Sequence, residues 1–322
     1  MVSRTISSVY EQVKGLFTDE EPGEIGPIRE FINDNFMKVV LFPPITLLGI
    51  LVAFPVGYLI WTSVHSISRY GGQEFIGLQN YVDIFQDPMF FMSLRHSILY
   101  TLGSVTLAFL IGFTCALALN KIVNQRIRSS FTVLILLAWA VPLVVTGLIW
   151  RFMLHADYGV VNAILVGTGI TSENLPFVTE PTLAFISVVI VDAWSRAPFA
   201  TIILLAGLQT IPDTLYEAAT VDGATDFAKF RDITLPQIKP SAGVALLIMT
   251  MFAFRTFSIV FSLTQGGPGN ATEVLATYIY SSGVKQLRLG YSAALSIVMI
   301  LMTLIIVALY VKMIQEDALE TA

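Results

Sequence analysis

The sequence predicts an all-α polytopic membrane protein that crosses the bilayer six times. The chain has 322 residues, of which 55% are hydrophobic and only 13% are charged, and its mean hydropathy is +0.75. A soluble chain this apolar has too few polar side chains to cover its surface. Six separate apolar runs, each long enough to cross the hydrocarbon core as a helix, give the number of spans.

The spans form a transmembrane domain at residues 39–313. A polar, acidic N-terminal tail at residues 1–38 precedes it, and a short C-terminal tail at residues 314–322 follows it. The predicted spans lie near residues 39–64, 94–119, 131–154, 182–208, 242–263 and 293–311. Prolines within three of these spans are tolerated where neighbouring helices satisfy the freed backbone groups.

The basic residues of the connections orient the chain. Lys121, Arg126 and Arg128 lie between the second and third spans, and three more basic residues lie between the fourth and fifth. The connection between the third and fourth spans, at residues 155–181, contains no Lys or Arg. Because cytoplasmic loops carry an excess of these residues, both termini are predicted to be cytoplasmic.

The second span carries a stripe of small residues. Spaced four apart on one helix face are Ser104, Ala108, Gly112 and Ala116. Small side chains let two helix backbones approach closely, so we expect this face to pack against another helix of the same domain. A contact between two copies of the domain is the alternative.

The connection at residues 212–240, between the fourth and fifth spans, is predicted to form two short helices. Thr214–Glu217 has the pattern of a capping box, so we expect the first helix to begin there. Gly223 is expected to end it in the left-handed conformation. A second helix is predicted over Ala224–Asp232, with apolar residues spaced three apart on one side, and Pro236 is expected to stop it.

This connection resembles the EAA loop of ABC importer permeases. The matching residues are Glu217–Ala219, Asp222–Ala224, Ile233, Leu235–Pro236 and Pro240. In that family the loop is the coupling helix, which docks in a cleft of a cytoplasmic ATPase subunit. The resemblance therefore predicts an ATPase contact through Glu217, Ala218, Ala219, Asp222, Gly223, Ala224, Phe227, Phe230, Leu235 and Pro236.

Other segments are similar to the sugar-type permeases of the same family. Gly77–Tyr81 and Asp87–Pro88 precede the second span, and Thr264–Pro268 follows the fifth. Ala276–Tyr291 resembles the F subunit of maltose-type importers more than its G partner. The resemblance implies the type I importer permease fold with a cytoplasmic coupling loop. It also implies a second, different permease subunit, two ATPase subunits and an extracellular substrate-binding protein as partners.

We therefore expect one permease subunit of an ATP-driven sugar importer in the cell membrane, forming half of the translocation pathway. A di- or oligosaccharide such as maltose or trehalose is the expected substrate, and the sequence leaves polyol phosphates open. The chain is not expected to be an enzyme or to hold a cofactor. No lysine follows a glycine, so no Walker A motif can be written, and ATP and Mg²⁺ belong to the partner ATPase. Nothing indicates nucleic-acid binding.

Two charges lie in the middle of the fourth predicted span. Asp192 and Arg196 are four residues apart and can pair, and Asp192 lies about 15 Å from the outer end of the span. Ionisable residues at this depth mark substrate pathways. The resemblance to maltose-type permeases implies that this segment lines the sugar site, and the best-known maltose permease has an amide and a glycine at these two positions. The predicted substrate-binding residues are Asp192, Trp194, Arg196, Phe199, Phe252, Arg255 and Thr256.

Several alternatives remain at this point. Asp192 and Arg196 can also serve only to neutralise each other, and Arg255 can line the cavity or pair with a partner subunit. An ion-coupled secondary transporter would use Asp192 and Arg196 as a relay, but it predicts an internal repeat, and we find no convincing duplication. His65 and the other two histidines lie at outer span ends without a carboxylate cluster, so we expect no metal site.

Overall fold

The computed structural model describes residues 36–67 and 72–320, with side chains except at positions 36, 39 and 316–320. Residues 1–35 of the predicted N-terminal tail lie outside the described residues. The chain separates into two compact units, residues 1–58 and 59–322. In the first unit, the described residues belong to helix α1 (Phe36–Ser63), which continues through three prolines and corresponds to the first predicted span.

The described residues of the second unit form helices and two short antiparallel strands, β1 (His65–Ile67) and β2 (Gln73–Phe75), which the sequence analysis did not predict. Its helices are α2 (Gln79–Gln86), α3 (Pro88–Asn120), α4 (Gln125–Ala140), α5 (Leu143–Met153), α6 (Val160–Gly167), α7 (Pro181–Gln209), α8 (Asp213–Val221), α9 (Asp226–Lys229), α10 (Leu235–Phe254), α11 (Ser258–Leu263), α12 (Leu275–Tyr280) and α13 (Leu289–Glu320). Two π-helical turns lie at Phe230–Thr234 and Ser281–Lys285.

Among the described residues, five helices are long and apolar enough to cross a membrane, and a bent pair can supply a sixth crossing. The five are Val40–Ser63, Pro88–Asn120, Pro181–Gln209, Asp226–Phe254 and Leu289–Gln315. The pair consists of α4 and α5, which meet at an angle of 89°. The prediction of a helical protein with six apolar spans is confirmed, but the third span is broken rather than straight.

The fifth span differs from the prediction at both ends. Helical structure runs without interruption from Asp226 to Phe254, so Pro236 does not stop a helix. Pro236 follows the π turn Phe230–Thr234, and the wider backbone of that turn accommodates its ring and its missing N–H. At the other end, the helix stops at Phe254 and Ser258–Leu263 forms a separate helix.

Helices α3 and α7 pack closely along the predicted stripe of small residues. Ser104, Ala108 and Ala116 are fully buried. A Cβ added at Gly112 would lie 2.6 Å from the Cβ of Ala200 and against the backbone of α7, so no larger residue fits without a shift. The prediction that this stripe packs inside the domain is confirmed, because close backbone approach depends on small side chains.

Asp87 joins the start of α3 to α12 and α13. Its Oδ1 accepts a hydrogen bond from the Met89 N–H at 2.9 Å, and its Oδ2 accepts from the hydroxyls of Tyr278 and Tyr291. The guanidinium of Arg288 lies 3.9 Å from the centre of the Tyr291 ring. Burial alone would raise the pKa of Asp87, but these hydrogen bonds and Arg288 outweigh it and lower the pKa.

Candidate functional site

A pocket of about 450 Å³ opens where α7 meets the bend between α4 and α5 and the break between α10 and α11. It is lined by Trp139, Ala140, Val141, Pro142, Leu143, Ser195, Arg196, Phe252, Arg255, Thr256, Phe257 and Ser258. Its volume lies within the range of roughly 300–1,000 Å³ that is typical of small-molecule sites. The lining combines aromatic rings, hydroxyls and two guanidinium groups.

Pro142 produces the first side of the pocket. It has no N–H to continue α4, and its fixed φ suits the position just before a new helix, so α4 ends at Ala140 and α5 begins at Leu143. The carbonyl of Pro142 accepts the hydrogen bond of the Thr146 N–H at 2.9 Å, which starts α5. The resulting bend brings Trp139 and Leu143 to the pocket wall.

The break after α10 produces the opposite side. The segment Arg255–Phe257 contains neither Pro nor Gly, so local sequence does not explain why the helix stops. Phe257 stacks on Phe261, with ring centres 4.9 Å apart, and its ring centre lies 5.2 Å from that of Tyr280. We attribute the break to this aromatic packing, which turns the chain and leaves Thr256 at the pocket lining.

The predicted pair of Asp192 and Arg196 is formed behind the pocket. The Nε of Arg196 donates to the Oδ2 of Asp192 at 2.7 Å, and the Ser104 hydroxyl donates to the same oxygen. Asp192 is completely buried, and Arg196 is 8% exposed and lines the pocket. Asp192 therefore contacts Arg196 and α3 in this structure, and its predicted contact with a sugar stays a prediction.

Further polar groups are buried beside this pair. The hydroxyl of Tyr100 lies close to Asp192, Arg196 and Thr256, yet no described residue gives it a hydrogen bond of good geometry. The Thr256 hydroxyl and the Oδ1 of Asp192 are also buried and unpaired among the described residues. Thr256 lines the pocket, but its hydroxyl oxygen is buried beside the Tyr100 hydroxyl rather than exposed to the cavity.

Arg255 caps the C-terminal end of α10 at the pocket. Its Nε donates to the carbonyl of Met251 at 3.2 Å, which holds the side chain against its own helix. Among the side chains that the structure describes, no carboxylate oxygen lies within 4.0 Å of its guanidinium. Arg255 is exposed, so its remaining N–H groups are available to a ligand or to another subunit.

Four of the seven predicted substrate-binding residues line the pocket, and Asp192, Trp194 and Phe199 do not. Arg196, Phe252, Arg255 and Thr256 meet at the pocket. Trp194, on the other side of α7, lines a second pocket of about 470 Å³ and contacts the ring of Trp150. Phe199 packs against the hydrophobic core. Trp194 and Phe199 therefore do not line the pocket that contains the other four, because successive positions of α7 face different neighbours.

The predicted substrate-binding residues leave out Trp139, Pro142, Leu143 and Phe257, all of which line the pocket. A Trp three residues before a Pro inside a predicted span is a signal that could have indicated a bend with an aromatic wall. Phe257 had no comparable signal, because the break that exposes it depends on tertiary packing. Among the described residues, no group of three His, Cys, Asp or Glu side chains is arranged to hold a metal ion.

The coupling loop, residues 212–240, is the second candidate site. Gly223 ends α8 with a φ of +75°, and the Ala224 N–H donates to the carbonyl of Ala219 at 2.9 Å, so the predicted left-handed helix end is confirmed. The predicted capping box is wrong, since no side chain caps the start of α8. Pro212 occupies the N-cap position, and Thr214 therefore lies inside the first turn.

The second helix of the coupling loop packs on one side and is open on the other. The ring of Phe230 lies 6.2 Å from that of Phe113, and the hydroxyls of Tyr216 and Thr234 are 2.9 Å apart. Phe227 is 70% exposed, so of the two rings predicted on one side of this helix only Phe230 packs within the chain. The spacing of three residues leaves Phe227 beyond the contact with α3.

Most of the predicted ATPase-contacting residues are at the surface. The exposed ones are Glu217, Ala218, Asp222, Gly223, Phe227, Leu235 and Pro236, and the half-buried ones are Ala219, Ala224 and Phe230. Val221, which was not predicted, is 89% exposed beside them. Large apolar side chains grouped on an exposed loop are typical of protein contact surfaces.

Known proteins resemble this chain over most of its length. It is 39% identical over 287 residues to the sulfoquinovosyl glycerol transport system permease protein SmoG of Agrobacterium fabrum, covering 88% of this chain and 92% of that protein. It is 35% identical over 278 residues to the trehalose/maltose transport system permease protein MalF of Thermococcus litoralis, covering 85% and 92%.

A solved structure shows the same architecture. The structure is that of a bacterial alginate ABC transporter in complex with an alginate pentasaccharide-bound periplasmic protein. One of its chains matches this chain with a TM-score of 0.75 and 25% identity, and the match covers 87% of this chain and 94% of that chain. The type I importer permease fold is thereby confirmed. The family model described as "Binding-protein-dependent transport system inner membrane component" matches residues 108–315. The chain belongs to this family of binding-protein-dependent transport system inner membrane components.

Proposed function

We propose that the chain is one permease subunit of an ATP-driven importer for a di- or oligosaccharide in the cell membrane. The observation that carries this proposal is that one chain combines a polar pocket between apolar helices with an exposed helical loop. The pocket provides half of a binding site within the membrane, and the loop provides a contact for a motor subunit. Relatives named for trehalose/maltose and sulfoquinovosyl glycerol transport support a carbohydrate substrate.

The coupling loop would transmit the movement of a cytoplasmic ATPase to the spans. Val221 and Phe227 extend from the loop and would insert into a cleft of the ATPase subunit. Phe230 contacts Phe113 of α3, so a displacement of the loop would act directly on the helix that packs against α7. ATP and Mg²⁺ would be bound by the ATPase, and this chain would contribute no catalytic group.

The remaining partners follow from the family. A second, different permease subunit would complete the pathway, two ATPase subunits would drive it, and a substrate-binding protein would deliver the sugar from outside. Both termini would lie in the cytoplasm. In a Cys115→Ala background, Gln125→Cys and Ser172→Cys, both at exposed positions, should label from opposite sides of the membrane. Labelling of both from one side would refute this orientation.

The function is tested by purifying the subunits as one complex and then measuring its transport of sugar. The complete complex, with both permeases and both ATPases, is reconstituted into liposomes together with the binding protein. We expect ATP-dependent uptake of at least one labelled sugar from a set that contains neutral trehalose and maltose and the anionic sulfoquinovosyl glycerol. Uptake driven by an ion gradient without the ATPase would support the alternative, a secondary transporter that uses Asp192 and Arg196, and would contradict the proposal.

A further inference from the structure

The charged residues that line the pocket are both positive. The lining includes Arg196 and Arg255 and no Asp or Glu. Arginine keeps its proton in proteins, so neither charge is removed by deprotonation. A cationic lining between low-dielectric walls attracts anions and repels cations. The pocket therefore has an electrostatic preference that its size and aromatic lining do not explain.

Only one of the two arginines is compensated within the described part of the chain. Asp192 is fully buried behind Arg196 and is paired with it at 2.7 Å. Arg255 donates only to its own helix, and no carboxylate of a described side chain is within 4.0 Å. The pocket thus carries one net positive charge, located at the guanidinium of Arg255. A guanidinium without an internal partner at a pocket is available to an anionic group of a ligand or of another subunit.

We propose that the substrate is a carbohydrate that carries an anionic group, and that Arg255 is the residue that selects for it. This inference rests on the proposed importer function and names its substrate class. The planar guanidinium can donate two parallel hydrogen bonds to a sulfonate, phosphate or carboxylate. Trp139 and Phe252 supply apolar surfaces for the sugar ring.

A carboxylate of the second permease subunit is the rival partner for Arg255. In that case the assembled pocket would be neutral, and Arg255 would stabilise the contact between the two permeases. The two roles have different consequences. If Arg255 contacts the ligand, replacing it changes the affinity for a charged probe and not for an uncharged one. If Arg255 lies at the subunit interface, replacing it weakens the assembly of the two permeases and changes the affinities for both probes equally.

The test uses two probes with the same skeleton. Sulfoquinovosyl glycerol carries a sulfonate, and glucosyl glycerol carries a hydroxyl at the same position. Each is titrated calorimetrically into the purified complex of both permeases and both ATPases. The binding protein is left out, so that its own selectivity does not contribute. We expect the wild type to bind the sulfonate probe roughly ten- to a hundredfold more tightly than the neutral one, as a charge-assisted hydrogen bond implies.

Arg255→Gln should remove this difference, and Arg255→Lys should keep part of it, because a point charge remains without the planar fork. The matched control is Arg126→Gln, which removes an exposed arginine at the start of α4, outside the pocket, and should keep the full preference. Raising the ionic strength should weaken the binding of the sulfonate probe and leave that of the neutral probe unchanged.

Equal affinity of the wild type for the two probes, or a preference that survives in Arg255→Gln, overturns the proposal. A complex that binds neither probe but imports a neutral disaccharide with ATP also overturns it, while the importer function remains. A complex that imports nothing and hydrolyses no ATP contradicts the importer function and this proposal with it. Separation of the two permeases in the Arg255→Gln variant, seen by size-exclusion chromatography, would assign Arg255 to the interface instead.

Discussion

The contact between α3 and α7 and the coupling loop each depend on a glycine, but for opposite physical reasons. At Gly112, an added Cβ would lie 2.6 Å from the Cβ of Ala200, so the position lacks space. At Gly223 nothing lies within 4 Å, but the φ of +75° disfavours any L side chain. The first region is therefore limited by packing and the second by backbone conformation. Changes in the first should act on folding, and changes in the second on coupling.

The largest effect is expected from breaking the charge pair in the α3–α7 contact. Asp192→Asn removes the carboxylate that holds Arg196 and leaves a buried guanidinium unpaired, which costs about 3–5 kcal/mol. We expect most of the folded protein to be lost, measured as the monodisperse fraction of a fluorescent fusion. The double variant Asp192→Asn with Arg196→Gln removes both charges and should recover folding. A double variant as unstable as the single one would show that charge burial is not the cause.

The next effect tests the lack of space in the same contact. Gly112→Ala forces a methyl group against Ala200, and overpacking of this kind costs about 1–3 kcal/mol. The matched control is Gly167→Ala at the end of α6, where nothing lies within 4 Å of the added Cβ. We expect a lower melting temperature in detergent for Gly112→Ala only. Equal melting temperatures for both variants would contradict the close packing of α3 on α7.

The two regions also differ in how far sequence could predict them. The end of α8 was predicted correctly because a glycine after a helix is a local signal that needs no tertiary contact. The capping box at Thr214 failed because Pro212, two residues earlier, takes the N-cap position. The stripe that includes Gly112 was predicted from spacing alone, but its partner helix was not. Which helix it meets depends on the whole fold.

The pocket could be predicted only in part, for the same reason. Arg196 was identified from its charge and depth and Phe252 from the resemblance to sugar-type permeases, and both line the pocket. Trp194 was placed in the same site but faces away, because its direction depends on how α7 is packed. The break at Arg255–Phe257 lies inside one apolar run, so hydropathy continued the span through it. At that break Phe257 packs on Phe261 and Tyr280, contacts that hydropathy does not report.

A smaller effect on stability, with a larger one on coupling, is expected at Gly223. In Gly223→Val a β-branched residue must adopt a positive φ, which costs about 1–2 kcal/mol and shifts the end of α8. Gly223→Asn is the matched control, since Asn tolerates this conformation. We expect a several-fold loss of substrate-stimulated ATP hydrolysis for Val and little loss for Asn, with similar amounts of folded complex. An equal loss of hydrolysis in both variants would show that coupling does not depend on the positive φ of residue 223.

The smallest effect on stability, and the sharpest test of the coupling role, concerns Glu217. Its side chain is exposed, and no described residue forms an ion pair with it, so replacing it should change the free energy of unfolding by only about 0.5 kcal/mol or less. A carboxylate without an internal partner on a docking surface is available to a basic group of another subunit. Glu217→Lys should therefore reduce ATP-dependent uptake more than Glu217→Gln, because it adds repulsion to the lost attraction.

The control for Glu217 is Glu74→Lys, the same charge reversal at an exposed position of β2, far from the loop in sequence. It should leave uptake and hydrolysis unchanged. The melting temperatures of all three variants should agree with that of the wild type. A loss of uptake then reports a loss of coupling and not of folding, whereas substitutions at Gly112 or Asp192 change the stability of the fold as well. Normal uptake by a well-folded Glu217→Lys complex would mean that the carboxylate makes no contact with the ATPase, and the exposed apolar side chains of Val221 and Phe227 would then have to provide the coupling contact alone.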